Sequence, residues 1–183
     1  DLEDAARRFA GGDRAARAAV VGGDEVAEVA RAFNRMADEA AQRDFDGWVL
    51  HAAATPKSMA VLAPLVESVP GARWMTWVKG FAAFKRNVSV AYAWEPVIVK
   101  PARKPVVSKR LVMRDWIECS ITLRKGLTGA KPEAVCHWAF EMVAARPDDD
   151  LHDMFPGTGA VAAAWRTWQG KFTLPVDYQE PLL

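Results

Sequence analysis

The segment at residues 151–161, Leu-His-Asp-Met-Phe-Pro-Gly-Thr-Gly-Ala-Val, most constrains the fold of this chain. Read locally, it predicts a short strand, a glycine-bearing turn and a helix from Ala160 to Trp168. Gly157 and Gly159 lack Cβ atoms, so the backbone can turn tightly and a ligand can approach its N–H groups. Asp153 is expected at the carboxyl end of the strand, where open α/β sheets bind ligands. For the Gly-x-Gly pattern alone, the alternative is an ordinary strand–turn–helix corner.

The residues in and before this segment resemble those of a known enzyme family. Asp153-x-Phe155-x-Gly-Thr-Gly resembles motif I, the S-adenosylmethionine loop, of amino-methylating DNA methyltransferases. Lys131-Pro132-Glu133 opens a predicted helix about twenty residues earlier, where these enzymes carry their motif X. The likeness to the phage and actinobacterial branch runs from about Phe45 to Trp168. It implies S-adenosylmethionine as cofactor, bound by Asp153, Phe155, Gly157, Thr158, Gly159, Lys131 and Pro132.

The resemblance implies an α/β fold: an incomplete Rossmann-like methyltransferase sheet with flanking helices, in the permuted order. Sequence patterns predict strands at residues 46–52, 73–79 and 90–99, and helices at residues 58–66 and 132–145. Pro64 argues for a short first helix, and Pro96 places the third strand at an edge or at a bulge. We expect a less regular stretch between Arg114 and Lys131.

The catalytic motif of that family is missing from this chain. Methylation of an exocyclic amine requires a flipped base whose nitrogen is aligned with the sulfonium methyl group. In the family, an Asp/Asn-Pro-Pro-aromatic motif holds that base. The nearest strings here are Thr55-Pro56-Lys57 and Trp94-Glu95-Pro96-Val97, and neither has two prolines and an aromatic. We therefore name no catalytic residue and expect no methyl transfer by this chain alone.

The middle of the chain is basic, although the formal net charge of the whole is only +1. Between Lys79 and Lys131 the acids are Glu95, Asp115 and Glu118 alone. Such a distribution suits a phosphate backbone, and a solvated surface is the alternative. The candidate residues for contact with double-stranded DNA are Lys79, Lys85, Arg86, Lys100, Arg103, Lys104, Lys109 and Arg110.

Composition excludes several other classes of protein. Half of the residues are apolar, which is enough for a hydrophobic core. Cys119 and Cys136 form no disulfide framework, and with the three histidines they show no metal-ligand spacing. We expect no metal, no signal peptide and no transmembrane segment in this chain, and a reduced, cytoplasmic protein.

Residues 1–44 differ in kind from the rest of the chain. They contain no Trp and no Pro, and a narrow apolar stripe repeats at spacings of three and four from Val26 to Ala40. That spacing suits a coiled-coil seam, so a partner helix is required. Gly12-Asp13, Asp24-Glu25 and Ala32-Phe33-Asn34-Arg35-Met36 resemble the HAMP domain of bacterial sensor kinases and chemoreceptors. The resemblance implies a parallel four-helix bundle in a homodimer, which relays a conformational signal.

The sequence therefore predicts three regions: a partial HAMP-like segment at 1–44, a methyltransferase-like α/β domain at 45–170 and an irregular tail at 171–183. We expect a join between unrelated segments near Arg43–Asp46. The favoured function is a truncated or degenerate DNA amino-methyltransferase domain that retains only the cofactor-binding half. The alternatives are a HAMP-type signalling and dimerisation module with the remainder as scaffold, or a non-catalytic DNA-binding remnant.

Overall fold

The computed structural model of the chain describes residues 45–81, 89–104, 113–121 and 130–173. In the amino-terminal segment it describes residues 4, 5, 8, 13, 15–21, 30, 31 and 34. From residue 45 onward the described elements are, in chain order, β1 (Trp48–His51), α1 (Pro56–Ser68), β2 (Arg73–Val78), β3 (Trp94–Lys100), β4 (Trp116–Glu118), α2 (Glu133–Met142) and α3 (Ala160–Thr173). No helix among the described residues is both long and apolar enough to cross a membrane.

The four described strands form one sheet in the order β1-β3-β2-β4. β3 pairs antiparallel with β1 and with β2, and β4 pairs parallel with β2. The core of β3, Val97-Ile98-Val99, is fully buried on both faces. A strand that is apolar on both faces needs a helical layer on each side.

Helices cover both faces of this sheet. On one face, Ile98 packs with Leu62 of α1 and with Trp74 of β2. On the other face, Val97 and Val99 pack with α2 residues. The second cluster also contains Met75, Trp77, Val135 and Met142. The α/β class predicted from the sequence is confirmed, with α1 and α2 on opposite faces.

The outer side of α2 packs against α3 rather than against the sheet. Cys136 and Phe140 of α2 share a buried cluster with Ala164, Trp165 and Trp168 of α3. The rings of Phe140 and Trp165 meet edge to face with centroids 5.0 Å apart, a favourable geometry for aromatic pairs. α3 thus forms an outer layer, and it extends five residues beyond the end predicted at Trp168.

The Rossmann-like arrangement is not found among the described strands, because two of the three strand pairings are antiparallel. The predicted strand before the glycine turn is also wrong, since residues 151–156 form no strand. The Asp153 carboxylate accepts a hydrogen bond from the Phe155 N–H (3.0 Å) and bends the backbone there. Pro156 follows, and it lacks the N–H that a strand ladder uses.

Two expectations based on prolines are wrong, each for its own reason. β3 is an inner strand, although it contains Pro96. The Pro96 carbonyl accepts a hydrogen bond from the Ala52 N–H (3.1 Å), so the Pro96 nitrogen also faces the β1 side of the strand. Because β1 has already ended at His51, no ladder hydrogen bond requires an N–H from Pro96. α1 continues through Pro64 to Ser68, because its residues Leu62 and Val66 are held in the core.

The predicted irregular stretch after Arg114 contains a short strand. Residues Trp116–Glu118 form β4 against β2, with Trp77 opposite Ile117. Three residues are too few for a recognisable alternation, so only the pairing with β2 defines the strand. The remaining strand and helix predictions agree with β1, β2, β3, α1 and α2 within a few residues at most ends.

Ala144 closes α2 in a backbone conformation that favours glycine. Its φ is 56°, and the N–H groups of Ala144 and Ala145 bond to the Glu141 and Phe140 carbonyls (both 3.0 Å) in a Schellman arrangement. We expect Ala144→Gly to raise the free energy of unfolding by roughly 0.5–1 kcal/mol, because the left-handed conformation strains an alanine. Urea denaturation measures this change, and Ala145→Gly, one residue later, is the control that should not stabilise. A destabilised Ala144→Gly protein would contradict the expectation.

Candidate functional site

The most connected polar group in the described part of the chain is a cluster around Glu95. Its Oε1 atom accepts from Lys79 Nζ (2.7 Å) and its Oε2 atom from Lys131 Nζ (2.6 Å). His51 Nδ1 lies 3.7 Å from Oε2, a distance that makes the contact electrostatic rather than a hydrogen bond. We call Glu95, Lys79, Lys131, His51 and Trp77 the Glu95 cluster.

Three strands and one loop bring these side chains together. Glu95 lies opposite Trp77 in the β2–β3 register, and His51 ends β1 opposite Val97. The three side chains therefore project from the same face of the sheet. Lys79 directly follows β2, and Lys131 precedes α2, which covers this face. The cluster thus lies where the sheet meets the first turn of α2.

Trp77 forms the floor of the cluster. Its ring lies 5.2 Å from Lys79 Nζ and 5.0 Å from Lys131 Nζ, which places both ammonium groups within cation–π distance. The indole is buried, and its Nε1–H donates to the Cys119 carbonyl (2.7 Å). His51 meets the same ring edge-on, with centroids 6.3 Å apart. Trp77 therefore fixes both lysines relative to the carboxylate.

The electrostatics of the cluster keep Glu95 ionised. Burial by itself would raise the pKa of Glu95, but His51, Lys131 and Lys79 outweigh it and hold that pKa well below its ordinary value. Burial lowers the pKa of His51, the two lysines lower it further, and Glu95 only partly opposes them. His51 is therefore neutral at pH 7, and the cluster carries two positive charges and one negative charge.

A small cavity opens beside the cluster. Its volume is about 270 Å³, and it is lined by His51, Ala52, Ala53, Glu95 and Lys131. The His51 Nδ1 atom is buried and has no hydrogen-bond partner within the part of the chain that the structure describes. Buried polar atoms of this kind are uncommon in folded proteins, so this one requires an explanation.

The glycine turn has the local geometry that its sequence predicts. Gly157 and Gly159 have φ values of 41° and 71°, in the left-handed region that glycine adopts without strain. α3 then begins at Ala160, as predicted. Asp153 Oδ2 is buried and unpaired among the described residues, while Phe155, Gly157 and Thr158 are exposed. The turn is therefore exposed at these three residues, and one carboxylate oxygen of the preceding Asp153 is buried.

The structure divides the seven predicted cofactor residues into two groups. Asp153, Phe155, Gly157, Thr158 and Gly159 lie in the turn before α3. Lys131 belongs to the Glu95 cluster, and Pro132 is the N-cap of α2. Cys136 lies between the two groups: burial raises its pKa to about 11, Lys131 lowers it and Asp153 raises it. One residue of each group therefore shifts the pKa of Cys136. The ion-pair partner of Lys131, however, is Glu95.

Most of the described candidates for DNA contact have internal partners. Lys79 forms an ion pair with Glu95, and Lys100 donates to the Asp46 carbonyl. Arg103 forms a bidentate salt bridge with Asp149, with both contacts at 2.7 Å. Lys104 is exposed and has no recorded partner among the described residues. The other candidates, Lys85, Arg86, Lys109 and Arg110, lie outside the described residues. Three of the four described candidates thus have a partner within the chain.

Other candidate chemistry fails on geometry. His137 is wedged between α2 and α3, where Nε2 meets the Ala164 carbonyl (3.0 Å) and Nδ1 meets Lys171 Nζ (3.2 Å). These contacts hold the His137 ring in the interface between α2 and α3. No group of three or more His, Cys, Asp or Glu side chains could hold a metal ion within the described ranges.

In the amino-terminal segment, the described non-helical residues 13 and 15–21 lie between helical residues 8 and 30, and we call them the connector. Asn34 accepts from the Ala18 N–H (2.7 Å) and donates to the Ala18 carbonyl (2.9 Å), which ties the connector to a helical residue farther along. Arg8 donates to Asp13 (2.6 Å) where the connector begins. Ala16 and Ala18 are buried, whereas Val21 is 79% exposed. Apart from Ala30, the predicted apolar stripe lies outside the described residues.

The comparison with known protein families supports the interpretation of the amino-terminal segment. A family model of the HAMP domain matches residues 1–42, which confirms the HAMP-like interpretation of that segment. The comparisons with curated proteins and with solved structures found no match. Nothing in them supports the resemblance of residues 45–168 to a methyltransferase.

Sequence reasoning missed the Glu95 cluster. The available signal was a single acid in a strand that is otherwise apolar, within the most basic part of the chain. A carboxylate at such a position requires a cationic partner. Its partners lie 16 and 36 residues away, so local pattern could not name them.

Proposed function

We propose that residues 1–42 act as a HAMP-type dimerisation and signal-transducing module, with the α/β part attached as a folded unit. The observation that carries this proposal is the family match over residues 1–42. HAMP domains commonly dimerise, and an amphipathic helix with a narrow apolar stripe requires a partner to bury it. The Asn34–Ala18 amide pair supports the proposal, because it joins the connector to the helical residue Asn34, 16 positions later.

The test is the oligomeric state of the chain in sedimentation-velocity experiments. We expect the intact chain to form a dimer, and a variant that lacks residues 1–42 to be monomeric while its far-ultraviolet circular dichroism still shows helix and strand. A monomeric intact chain would overturn the proposal. So would a dimer that survives the deletion, since that dimer would form through another surface.

A single substitution tests whether the Asn34–Ala18 hydrogen bonds support the dimer. Asn34→Ala leaves the Ala18 N–H and carbonyl without their partner, at a cost of about 1–3 kcal/mol in the half-buried connector. We expect dimer dissociation to increase about tenfold or more. Arg31→Gln, on the same helical segment, is the control and should leave the dimer intact. Equal effects of the two substitutions would show that the amide pair has no special role.

We propose as a second function that the turn at residues 153–159 binds S-adenosylmethionine without transferring its methyl group. Two observations support this candidate: Asp153 Oδ2 is buried without a partner among the described residues, and Gly157 and Gly159 adopt left-handed backbone conformations. The missing Asp-Pro-Pro-aromatic motif argues that the chain alone performs no chemistry. The chain would then be the cofactor-binding half of a DNA amino-methyltransferase.

Calorimetric titration with S-adenosylmethionine tests this second function. We expect saturable binding that Asp153→Ala weakens at least tenfold, because the carboxylate is lost from the turn. Asp150→Ala, in the exposed loop before the turn, is the matched control and should bind like the parent chain. Failure of the parent chain to bind, or equal binding by the parent chain and Asp153→Ala, would refute the proposal.

A further inference from the structure

The cavity beside the Glu95 cluster differs from the glycine turn in its lining and its charge. It is lined by the end of β1, by Glu95 and by Lys131, and no residue of the turn lines it. With a volume of about 270 Å³, it falls just below the usual range of pockets for drug-sized ligands, so a small molecule is its natural occupant.

The charge of the cluster determines which small molecule fits. Lys79 and Lys131 bring two positive charges to one carboxylate, whose two oxygen atoms they occupy. The side chains of all three residues are only 19–24% exposed, so water screens the excess charge weakly. His51 is neutral and supplies no further charge. One additional negative charge would make the cluster neutral.

The hydrogen-bonding groups at the cavity wall agree with this charge. Lys131 Nζ carries three N–H donors, of which one serves Glu95. His51 lines the same cavity, and its buried Nδ1 atom, which has no partner among the described residues, can carry a proton as a donor. An ammonium and an imidazole N–H on one wall form charge-assisted bonds with an oxyanion.

We propose that this cavity is a binding site for a small oxyanion, a carboxylate or a phosphate group, held by Lys131 and His51 and balancing the charge of the Glu95 cluster. The site stands apart from both proposed functions: it requires neither a dimer nor S-adenosylmethionine. Glu95 positions Lys131 at the cavity wall, and Trp77 prevents the lysine from turning away.

Histidine side-chain NMR of the full chain tests the site directly. The chain has three histidines, and His51→Gln assigns the His51 signal, while His137 between α2 and α3 serves as an internal control. We titrate sodium acetate and inorganic phosphate separately at pH 7, with ionic strength held constant by sodium chloride. The expected result is a saturable shift of the His51 signal, with a Kd on the order of 1 mM or tighter, and no matching shift of His137.

Substitutions of Lys131 test whether its ammonium group binds the anion, and a substitution of Lys104 is the control. Lys131→Gln should weaken binding about tenfold or more, Lys131→Arg should retain it, and Lys104→Gln on the exposed loop should bind like the parent chain. A response to acetate alone assigns a carboxylate ligand, and a response to phosphate alone assigns a phosphate. Absence of a saturable His51 shift with both anions overturns the site, as does equal weakening by Lys131→Gln and Lys104→Gln. The parent titration decides the question even if Lys131→Gln does not fold.

Discussion

Glu95→Gln should lower the free energy of unfolding by about 3 kcal/mol at pH 7. The substitution keeps the size of the side chain and removes its charge, which leaves Lys79 and Lys131 half-buried without a counterion. Both ammonium groups remain over the Trp77 ring, and the cation–π interaction replaces only part of the lost attraction. Urea denaturation followed by circular dichroism measures the change.

Glu118→Gln is the control for this prediction. Glu118 is an exposed residue of β4, and it forms no ion pair with any residue that the structure describes, so its substitution should change stability by less than about 0.5 kcal/mol. Adding Lys79→Met to Glu95→Gln should recover part of the lost stability, since one uncompensated charge is then removed. If Glu95→Gln is as mild as Glu118→Gln, the lysines reach water readily and the cluster does not stabilise the fold.

The second large effect is expected for Trp168→Ala, with a loss of about 4 kcal/mol in the free energy of unfolding. Trp168 is 1% exposed and joins α3 to α2. Its ring stacks on Trp165 with centroids 5.0 Å apart and meets Phe140 at 5.7 Å, and its Nε1–H donates to Glu141 (2.7 Å). Truncation leaves a large cavity and removes the donor from a carboxylate.

Trp94→Ala provides a matched control on the same residue type. Trp94 begins β3 and is 37% exposed, so its truncation should cost about 1 kcal/mol or less. Because α3 begins directly after the glycine turn, Trp168→Ala should also weaken any binding of S-adenosylmethionine, whereas Trp94→Ala should not. Equal losses of stability in the two variants would show that the α2–α3 interface contributes little to the fold.

Local signals made several elements predictable from the sequence. The Thr55 hydroxyl accepts from the Ser58 N–H (3.2 Å), and Pro56 fits the first turn of α1, so that start depends on adjacent residues alone. The left-handed glycines before α3 and the HAMP-like pattern of residues 1–42 are of the same kind. The glycine turn depends on residues a few positions apart, and the HAMP-like pattern depends on short motifs within one continuous segment, so a sequence displays both directly.

Pairings between strands that are far apart in the chain could be read only from the tertiary structure. Pro96 can occupy an inner strand because β1 ends before the position at which a Pro96 N–H would be needed for pairing. The tolerance of this proline therefore depends on the length of β1, which precedes it by more than forty residues. The same holds for β4, which is a strand only because β2 lies beside it.

The sequence by itself determined the glycine turn, the start of α3 and the HAMP-like segment. The tertiary structure decided the strand order and the assembly of the Glu95 cluster. The physical reason is range: caps, turns and periodicity act within about one helical turn. In contrast, a buried carboxylate is stabilised by whichever cations the folded chain brings to it, here from 16 residues before and 36 residues after Glu95.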